Sequence, residues 1–439
     1  MGRGCDNRGM QNHTNSGSGA HRTPSHTIGP IGHASDGASV DLSQQPTAHP
    51  RPPNALLARI HQAIASAGGW LPFDAFMQMA LYEPGLGYYS HSRPKIGRMP
   101  ADGSASGRQP GSDFVTAPEI SPLFGQCIAA QIAQTLSHTG VDTVYEFGAG
   151  NGTLARDILR QIGGQVARYC IVDVSGALRA RQAETLAEFG DQVQWLSELP
   201  PAIHGVLLGN EVLDAMPVKL LARHANGCWS ERGVSLDDSQ TLSWQDRPTA
   251  LRPPCDPWQD DEADSATAPP LDAAGGDAAQ ALTYLTEIHP WAEAFIRTTS
   301  ERLRQGAALW IDYGFGEAEY YHPQRRTGTL VCHHQHRMDD QPLQHAGEKD
   351  ITSHVDFTAV AVAAQHAGLE VLGYTTQAHF LINCGIQRLL EQATLPERIM
   401  AAKLLHEHEM GELFKVIMLG PGPFWEPLGF HNGDRTHTL

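Results

Sequence analysis

The segment E-F-G-A-G-N-G-T, residues 146–153, is placed like a nucleotide-binding turn, because a short apolar strand precedes it and an amphipathic helix follows. Its glycines occupy every second position: Gly148, Gly150 and Gly152. A dinucleotide fingerprint of the form G-x-G-x-x-G/A would need a small residue at position 153, where the chain has Thr153. The spacing therefore favours a nucleoside-like ligand without phosphates, for which the glycines need only let the backbone approach.

Two acidic residues accompany this turn. Glu146 lies just before it and suits a ligand with a cationic amino group and a sulfonium. Asp173 ends the second predicted strand, 21 residues after Gly152, where an acid can accept hydrogen bonds from ribose hydroxyls. Since NAD would use the same acid, Asp173 indicates that a ribose binds here but does not by itself identify the cofactor. With the glycine spacing, these residues predict S-adenosylmethionine; a nicotinamide oxidoreductase is an alternative that Thr153 disfavours.

A second polar group follows the fourth predicted strand, in L-G-N-E-V-L-D-A-M-P-V at residues 208–218. Asn210, Glu211 and Asp214 should converge near the ligand, because ligands of parallel sheets bind beyond the carboxyl ends of the strands. Paired carboxylates can hold a guanidinium in a bidentate clamp and can accept its proton. We therefore take these three residues as catalytic candidates for methyl transfer. The alternative is that Glu211 caps a following helix and that Asp214 is solvated.

Short apolar segments alternate with amphipathic helical segments from Thr143 onward. The predicted strands are T-V-Y-E-F, Y-C-I-V-D-V, V-Q-W-L, H-G-V-L-L-G-N and A-A-L-W-I-D-Y, with L-E-V-L-G-Y and K-V-I-M-L as a late pair. Repeating strand–helix units predict a Rossmann-like α/β sheet with helices on both faces and an insertion between the fourth and fifth strands. The acidic or amide residues that end these strands are Glu146, Asp173, Asn210 and Asp312.

The chain divides by composition into four parts. We expect a disordered tail over residues 1–52, a helical segment over 53–140, the cofactor-binding domain over 141–420 and a C-terminal tail over 421–439. Residues 231–280 carry 11 acidic residues and three arginines, a net charge of −8, with few large apolar residues. Such a composition predicts a disordered insertion, with an acidic docking segment as the alternative.

Charge and cysteine usage exclude several classes of protein. A formal net charge of −17 argues against nucleic acid as a partner and fits a basic protein better. The seven cysteines are scattered without a C-x-x-C pair, as in a reducing compartment. No apolar run approaches the roughly 20 residues of a membrane helix, and the N-terminus lacks the pattern of a secretory signal. We therefore expect a cytoplasmic protein that is not bound to a membrane.

Other polar motifs are less informative. In H-H-Q-H at residues 333–336, adjacent histidines would point to opposite faces of a strand, so we predict no metal site. In D-I-T-S-H-V-D-F at residues 350–357, Asp356 is predicted to cap the following helix. His354 of the same motif is either a base or substrate contact, or a structural histidine.

Taken together, the motifs resemble those of the MidA-type methyltransferases, whose mitochondrial members assist assembly of respiratory complex I. The matching segments are F-M-Q-M-A-L-Y-E-P-G-L-G-Y-Y-S, D-F-V-T-A-P-E-I-S-P-L-F-G, E-F-G-A-G-N-G-T, N-E-V-L-D-A-M-P-V, I-D-Y-G and D-I-T-S-H-V-D-F. The resemblance implies S-adenosylmethionine as cofactor, with the three glycines as contacts and N-E-V-L-D as the wall of the methyl-transfer site. It also implies a protein substrate and, in the mitochondrial branch, arginine dimethylation of a complex I core subunit.

Departures from the family pattern concern surfaces away from the cofactor turn: a polar stretch over residues 98–109, the acidic insertion and both tails. Three further functions therefore stay open beside protein arginine methylation. The first is a non-catalytic scaffold that binds S-adenosylmethionine structurally, the second is methylation of a small molecule, and the third is the oxidoreductase named above.

Overall fold

The computed structural model describes residues 55–90, 116–173, 176–258, 281–334 and 337–439. The tail expected over residues 1–52 and the polar stretch over 98–109 lie outside these ranges. No helix within the described ranges is both long enough and apolar enough to cross a bilayer.

The α-helices of the described residues are, in chain order, α1 (Ala55–Ser66), α2 (Phe73–Tyr82), α3 (Ala117–Ile120), α4 (Pro122–Thr139), α5 (Thr153–Ile162), α6 (Gly176–Thr185), α7 (Pro290–Arg302), α8 (Glu317–Tyr320), α9 (Phe357–His366), α10 (Gln377–Asn383), α11 (Ile386–Gln392), α12 (Leu395–Leu405) and α13 (Met410–Leu413). Short 3₁₀ turns occur at Tyr88–Ser90, Gly163–Gln165, Ala187–Gln192, Leu428–Phe430 and Thr436–Thr438.

The strands of the described residues are β1 (Leu71–Pro72), β2 (Thr143–Phe147), β3 (Arg168–Val172), β4 (Val193–Leu196), β5 (Ile203–Asn210), β6 (Lys219–His224), β7 (Trp229–Leu236), β8 (Leu242–Pro248), β9 (Leu282–Ile288), β10 (Leu303–Phe315), β11 (Val331–His334), β12 (Arg337–Asp339), β13 (Asp350–Thr352), β14 (Val355–Asp356), β15 (Glu370–Thr376) and β16 (Phe414–Gly420).

The main sheet has the order β15-β16-β10-β5-β2-β3-β4, with β14 added beside the end of β10. The neighbours from β10 to β4 pair in parallel, whereas β16 pairs antiparallel with both β10 and β15. This arrangement confirms the predicted Rossmann-like α/β fold, including the late pair of strands. Because β2, β5 and β10 are parallel neighbours, their carboxyl ends meet at one edge of the sheet.

Helices cover both faces of this sheet, and the alternation of side chains along β5 shows how. Val206 and Leu208 point to the face that packs against α4 and α5, whereas Leu207 between them points to the face covered by α7 and α9. All three side chains are buried. A strand buried on both faces is typical of a parallel sheet in an α/β protein.

Strands β6 to β9, which lie between β5 and β10 in the chain, form a second sheet with β1, and this sheet corrects one expectation. Its order is β1-β7-β6-β9, with β8 paired to β7, so residues 231–248 form most of β7, a turn and β8 rather than disordered chain. The physical reason is cross-strand pairing: Arg232 forms two hydrogen bonds of 2.8 Å with Asp246, which offsets charge that composition alone leaves unpaired. Val234, also on β7, is buried in the core shared with α1 and α2. Residues 259–280 of the acidic segment lie outside the described ranges.

The last residues, expected as a tail, fold back onto the main sheet. Phe430 is buried beside Phe380 of α10, with ring centroids 5.5 Å apart. The backbone N–H of Tyr374 donates to the Asp434 carboxylate (2.9 Å), and Arg435 N–H donates to the Tyr374 carbonyl. Residues 421–439 therefore extend the packed core instead of projecting from it.

Candidate active site

The Gly-rich turn connects β2 to α5 with an unusual backbone. The φ angles of its glycines are 61° at Gly148, 54° at Gly150 and 81° at Gly152, all in the left-handed region that favours glycine. A Cβ atom at Gly148 would lie 3.3 Å from the Val212 side chain of the second polar turn. The small residues therefore let two turns, from the neighbouring strands β2 and β5, approach each other at the sheet edge.

A buried glutamine holds the turn and the predicted ribose acid together. Gln182 of α6 donates from Nε2 to the Gly150 carbonyl (3.0 Å) and to Asp173 Oδ2 (2.8 Å). Its Oε1 accepts from the Trp195 indole N–H at 2.9 Å. Sequence reasoning missed Gln182, although a signal existed: it lies four residues after Leu178 and four before Leu186, a polar residue on an apolar helix stripe.

Glu146 is buried inside the sheet end, where its carboxylate accepts a hydrogen bond from the Tyr169 hydroxyl (2.9 Å). Burial, to which the nearby Asp173 adds, raises the pKa of Glu146 to about 8, although the hydrogen bond from Tyr169 opposes the shift. A cationic ligand group would relieve this cost. The positive-φ glycines, buried Glu146 and Asp173 together fit a ligand with a cationic amino group and a ribose but no phosphate.

The second polar turn, residues 210–214, is shaped by a carboxylate from the neighbouring strand. Asp312 of β10 accepts three backbone hydrogen bonds through Oδ2, from Val212 (3.1 Å), Leu213 (2.9 Å) and Asp214 (3.2 Å). Glu211 N–H donates to the Ile311 carbonyl at 2.8 Å. The sequence predicts Asp312 at the end of its strand, but β10 continues to Phe315 because its last residues pair with β14. The role of Asp312 in organising this turn was not predicted.

Glu211 has a strained backbone, with φ of 54° at a residue that is not glycine. Its carboxylate accepts from Asn210 Nδ2 (3.1 Å) and from the Ala117 N–H of α3 (3.4 Å). Residues 211–218, all of them described, form turns and no helix, so Glu211 caps no helix. Asp214 is buried rather than solvated, and the Tyr313 hydroxyl hydrogen bonds to it. The alternative interpretation of both residues is therefore wrong.

Three carboxyl groups, those of Glu211, Asp214 and Asp312, lie close together at this turn. Burial raises the pKa of Glu211 to about 8, with Asp214 adding to the shift, and burial raises the pKa of Asp214 to about 6. Burial and both of these neighbours raise the pKa of Asp312 well above its ordinary range. No cationic side chain in the described ranges pairs with any of the three. The turn therefore presents carboxylates that a cationic partner would stabilise.

Aromatic residues from the N-terminal helices line the same region. The Tyr82 hydroxyl of α2 donates to the Ala215 carbonyl (2.9 Å), and the Tyr89 hydroxyl donates to Asp350 Oδ1 (2.8 Å). The two tyrosine rings stack with centroids 5.5 Å apart. Asp350 also acts on the pKa of Glu211, so it lies near the carboxylate turn. Long-range folding thus adds a tyrosine pair and a further carboxylate to the site.

The remaining candidates have other positions. Asp356 caps α9 by accepting from Ala359 N–H, as predicted. The His354 ring packs edge-on against Tyr313 and Phe315, with centroids 5.1 and 5.0 Å away, and burial lowers the pKa of His354 to about 4. His354 therefore supports the wall behind Tyr313 as an uncharged ring.

Comparison with known proteins agrees with this geometry. A family model described as S-adenosyl-L-methionine-dependent methyltransferase matches residues 127–375. A Burkholderia thailandensis protein whose crystal structure holds S-adenosyl-homocysteine is 45% identical, with a TM-score of 0.77; the match covers 89% of this chain and 99% of that one. A native crystal structure from the same organism is 43% identical, with a TM-score of 0.73 and the same coverage.

Curated relatives are more distant. The mitochondrial protein arginine methyltransferase NDUFAF7 of Rattus norvegicus is 28% identical over 389 residues, which are 79% of this chain and 80% of the relative. The protein of the same name from Homo sapiens is 27% identical over 430 residues, 88% of this chain and 87% of the relative. The family model, the similar structures and the two turns at the sheet edge lead to one assignment: the chain belongs to the MidA-type family of S-adenosylmethionine-dependent methyltransferases.

Proposed function

We propose that this methyltransferase modifies an arginine side chain of a protein, with Glu211 and Asp214 as its catalytic residues. The observation that carries the proposal is the carboxylate turn 210–214. Its Asp214 is buried, its Glu211 is half-buried with a strained backbone, and neither carboxylate has a cationic partner in the described part of the chain. A guanidinium stays protonated in water, so it would supply the missing positive charge. The names of the relatives at 27–28% identity support the same acceptor.

The cofactor-binding residues of the proposal are the glycines of the turn with Glu146 and Asp173. Glu146 would face the cationic amino group, Asp173 would accept from the ribose hydroxyls, and Gln182 would keep Asp173 in place. When bound, the cofactor supplies a methyl group on a sulfonium. The chain must then hold the acceptor nitrogen in line with the carbon–sulfur bond, about 3 Å from the methyl carbon.

Glu211 and Asp214 would orient the guanidinium by charge-assisted hydrogen bonds. As the new nitrogen–carbon bond forms and the carbon–sulfur bond breaks, the nitrogen must lose a proton, which Glu211 can accept. Burial raises the pKa of Glu211 to about 8 in the ligand-free protein, and a bound guanidinium would favour the ionised carboxylate, which is the form that accepts a proton. Asp312 would act through the backbone, because it holds the amides of the turn rather than the substrate.

The test is to incubate the full chain with methyl-labelled S-adenosylmethionine and a cell lysate, and then to map the modified residue by mass spectrometry. Label on arginine of a protein band supports the proposal, and the band identifies the acceptor; the family resemblance points to a subunit of respiratory complex I. Label only in the small-molecule fraction would assign a different acceptor. Absence of label across lysates, with cofactor binding intact, would favour the non-catalytic scaffold.

A further inference from the structure

A short segment before α4 touches both halves of the site. Glu119 of α3 accepts two hydrogen bonds through Oε1 from the Gly-rich turn, one from Asn151 Nδ2 (3.1 Å) and one from Thr153 Oγ1 (2.7 Å). Thr153 is the residue that replaces the third small residue of a dinucleotide fingerprint. Thr153 is the first residue of α5, and its hydroxyl donates to Glu119 of the segment before α4. The amino end of α5 is therefore in contact with this segment.

Two residues earlier, the same segment contacts the carboxylate turn. The Ala117 N–H donates to Glu211 Oε1 at 3.4 Å, and the Ala117 side chain is fully buried. The segment is also held from behind, because the Ser121 hydroxyl caps α4 by accepting from Leu123 N–H. A displacement of Glu119 relative to the cofactor turn would therefore move the donor that orients Glu211.

We infer that the segment of residues 116–121 couples the cofactor turn to Glu211, with Glu119 as a positioning residue that acts through Asn151 and Thr153. Cofactor bound at the Gly-rich turn restricts the movement of that turn, which in turn restricts Glu119 through Asn151 and Thr153. The Ala117 N–H then keeps its hydrogen bond to the Glu211 carboxylate, next to the strained backbone of residue 211. Cofactor binding thereby stabilises an arrangement of the acceptor site that these contacts already outline. This regulation of the site does not depend on whether the acceptor is arginine.

Energetics favours such a coupling over a passive contact. Hydrogen bonds to a charged carboxylate are stronger than neutral ones, and the loss of one changes an equilibrium about tenfold or more. Glu211 occupies a left-handed backbone conformation that persists only when its surroundings determine it. A weak 3.4 Å bond to such a residue is sensitive to small movements of its donor.

The experiment measures hydrogen–deuterium exchange of the full chain with and without S-adenosylhomocysteine, and the affinity for that compound by calorimetry. We expect the ligand to slow exchange in residues 209–216 of the wild type. At saturating ligand, Glu119→Ala should lose most of that protection, about tenfold in exchange rate, whereas Glu119→Gln should keep it because its amide oxygen still accepts from Thr153. Glu301→Ala, an exposed acid on α7, is the matched control for charge.

Thr153→Val provides an independent variant if Glu119→Ala does not fold. It removes the hydroxyl that donates to Glu119 and changes the shape of the side chain little. It should reproduce the loss of protection. Wild-type-like protection in Glu119→Ala or Thr153→Val, or no ligand-induced protection in the wild type, would overturn the inference. Because no methyl acceptor is present, these outcomes are separate from failure of the arginine proposal, which only the labelling experiment can reveal.

Discussion

The two turns at the sheet edge lie side by side but are built on different principles. The cofactor turn at residues 146–153 uses backbone shape, since its three glycines adopt positive φ angles without strain. The carboxylate turn at residues 210–214 adopts a positive φ at Glu211 and is held there by groups from β10 and α3. A turn of glycines can form locally, whereas a turn of carboxylates needs the rest of the fold to hold it.

The comparison also separates binding from chemistry. Changes in the glycines should affect cofactor affinity, and changes in the carboxylates should affect the transfer step. Substitutions at the contacts that join the two turns should change both cofactor affinity and the transfer rate. These contacts are the approach of Gly148 to Val212 and the segment of residues 116–121.

The largest expected effect is on the transfer rate of Glu211→Gln. The amide keeps the shape of the side chain but cannot accept the proton, so kcat in a labelled-methyl assay should fall by roughly 10²–10⁴. Calorimetric affinity for S-adenosylhomocysteine should stay within a few-fold of wild type. Equal loss of affinity and rate would mean that the two turns do not divide binding from chemistry as we describe.

Gly150→Val should act on the other turn. A β-branched residue at a φ of 54° is strained by about 1–3 kcal/mol. Because the turn can relieve this strain by leaving the binding conformation, affinity for S-adenosylmethionine should fall by about 5- to 160-fold before any clash with the ligand is counted. Gly164→Val is the matched control, because a Cβ there meets nothing within 4 Å. Unaltered affinity of Gly150→Val by calorimetry would remove the assignment of this turn to the cofactor.

Asp312→Ala tests whether the carboxylate turn depends on its neighbour strand. Three backbone amides would lose their acceptor, and the free energy of unfolding measured in urea should fall by about 2 kcal/mol. Asp312→Asn, which keeps an oxygen at the same position, should lose less. Equal stability of Asp312→Ala and wild type would show that the carboxylate turn keeps its conformation without Asp312.

The smallest effect concerns pH. The folded-state pKa of Glu146, about 8, lies above the ordinary 4.5, so the folded chain keeps a proton that the unfolded chain releases. Stability without ligand should therefore fall as pH rises from about 4.5 to 8. Binding of a cation favours the ionised carboxyl, so affinity for S-adenosylmethionine should rise with pH up to about 8, at most tenfold per unit.

Calorimetry from pH 6 to 8.5 would measure this slope, and Glu146→Gln should flatten it. Glu211→Gln serves as the comparison, because burial raises the pKa of Glu211 to about 8 as well. If only the Glu211 variant loses the slope, the proton belongs to the carboxylate turn and the role of Glu146 as the partner of the amino group is wrong.

Much of the local structure was predictable from particular residues. A serine followed by a proline is a typical helix start, and the Ser121 hydroxyl caps α4, which begins at Pro122. Asp356 was expected to cap α9 and does so. The strand–turn–helix around Gly148 followed from the switch between apolar and amphipathic patterns. These features depend on contacts within a few residues, which the order of residue types records directly.

Other features could not be predicted because their partners are distant in the chain. Residues 231–248 look unable to fold by composition, yet Arg232 and Asp246 pair across two strands and Val234 is buried against the N-terminal helices. The binding of the Gly-rich turn by Glu119, the place of Tyr89 beside Asp350 and the reach of Asp312 into the carboxylate turn are similar cases.

By itself, the order of residues determined the α/β sheet, the cofactor turn and the chemical types available at each strand end, since these follow from local propensity and periodicity. Only the tertiary structure decided which acids share one site and how their pKa values shift. The reason is that burial and charge proximity depend on distances between strand ends that are far apart in the sequence. Asp312, for example, lies 98 to 100 residues after the residues of the turn whose backbone N–H groups donate to it.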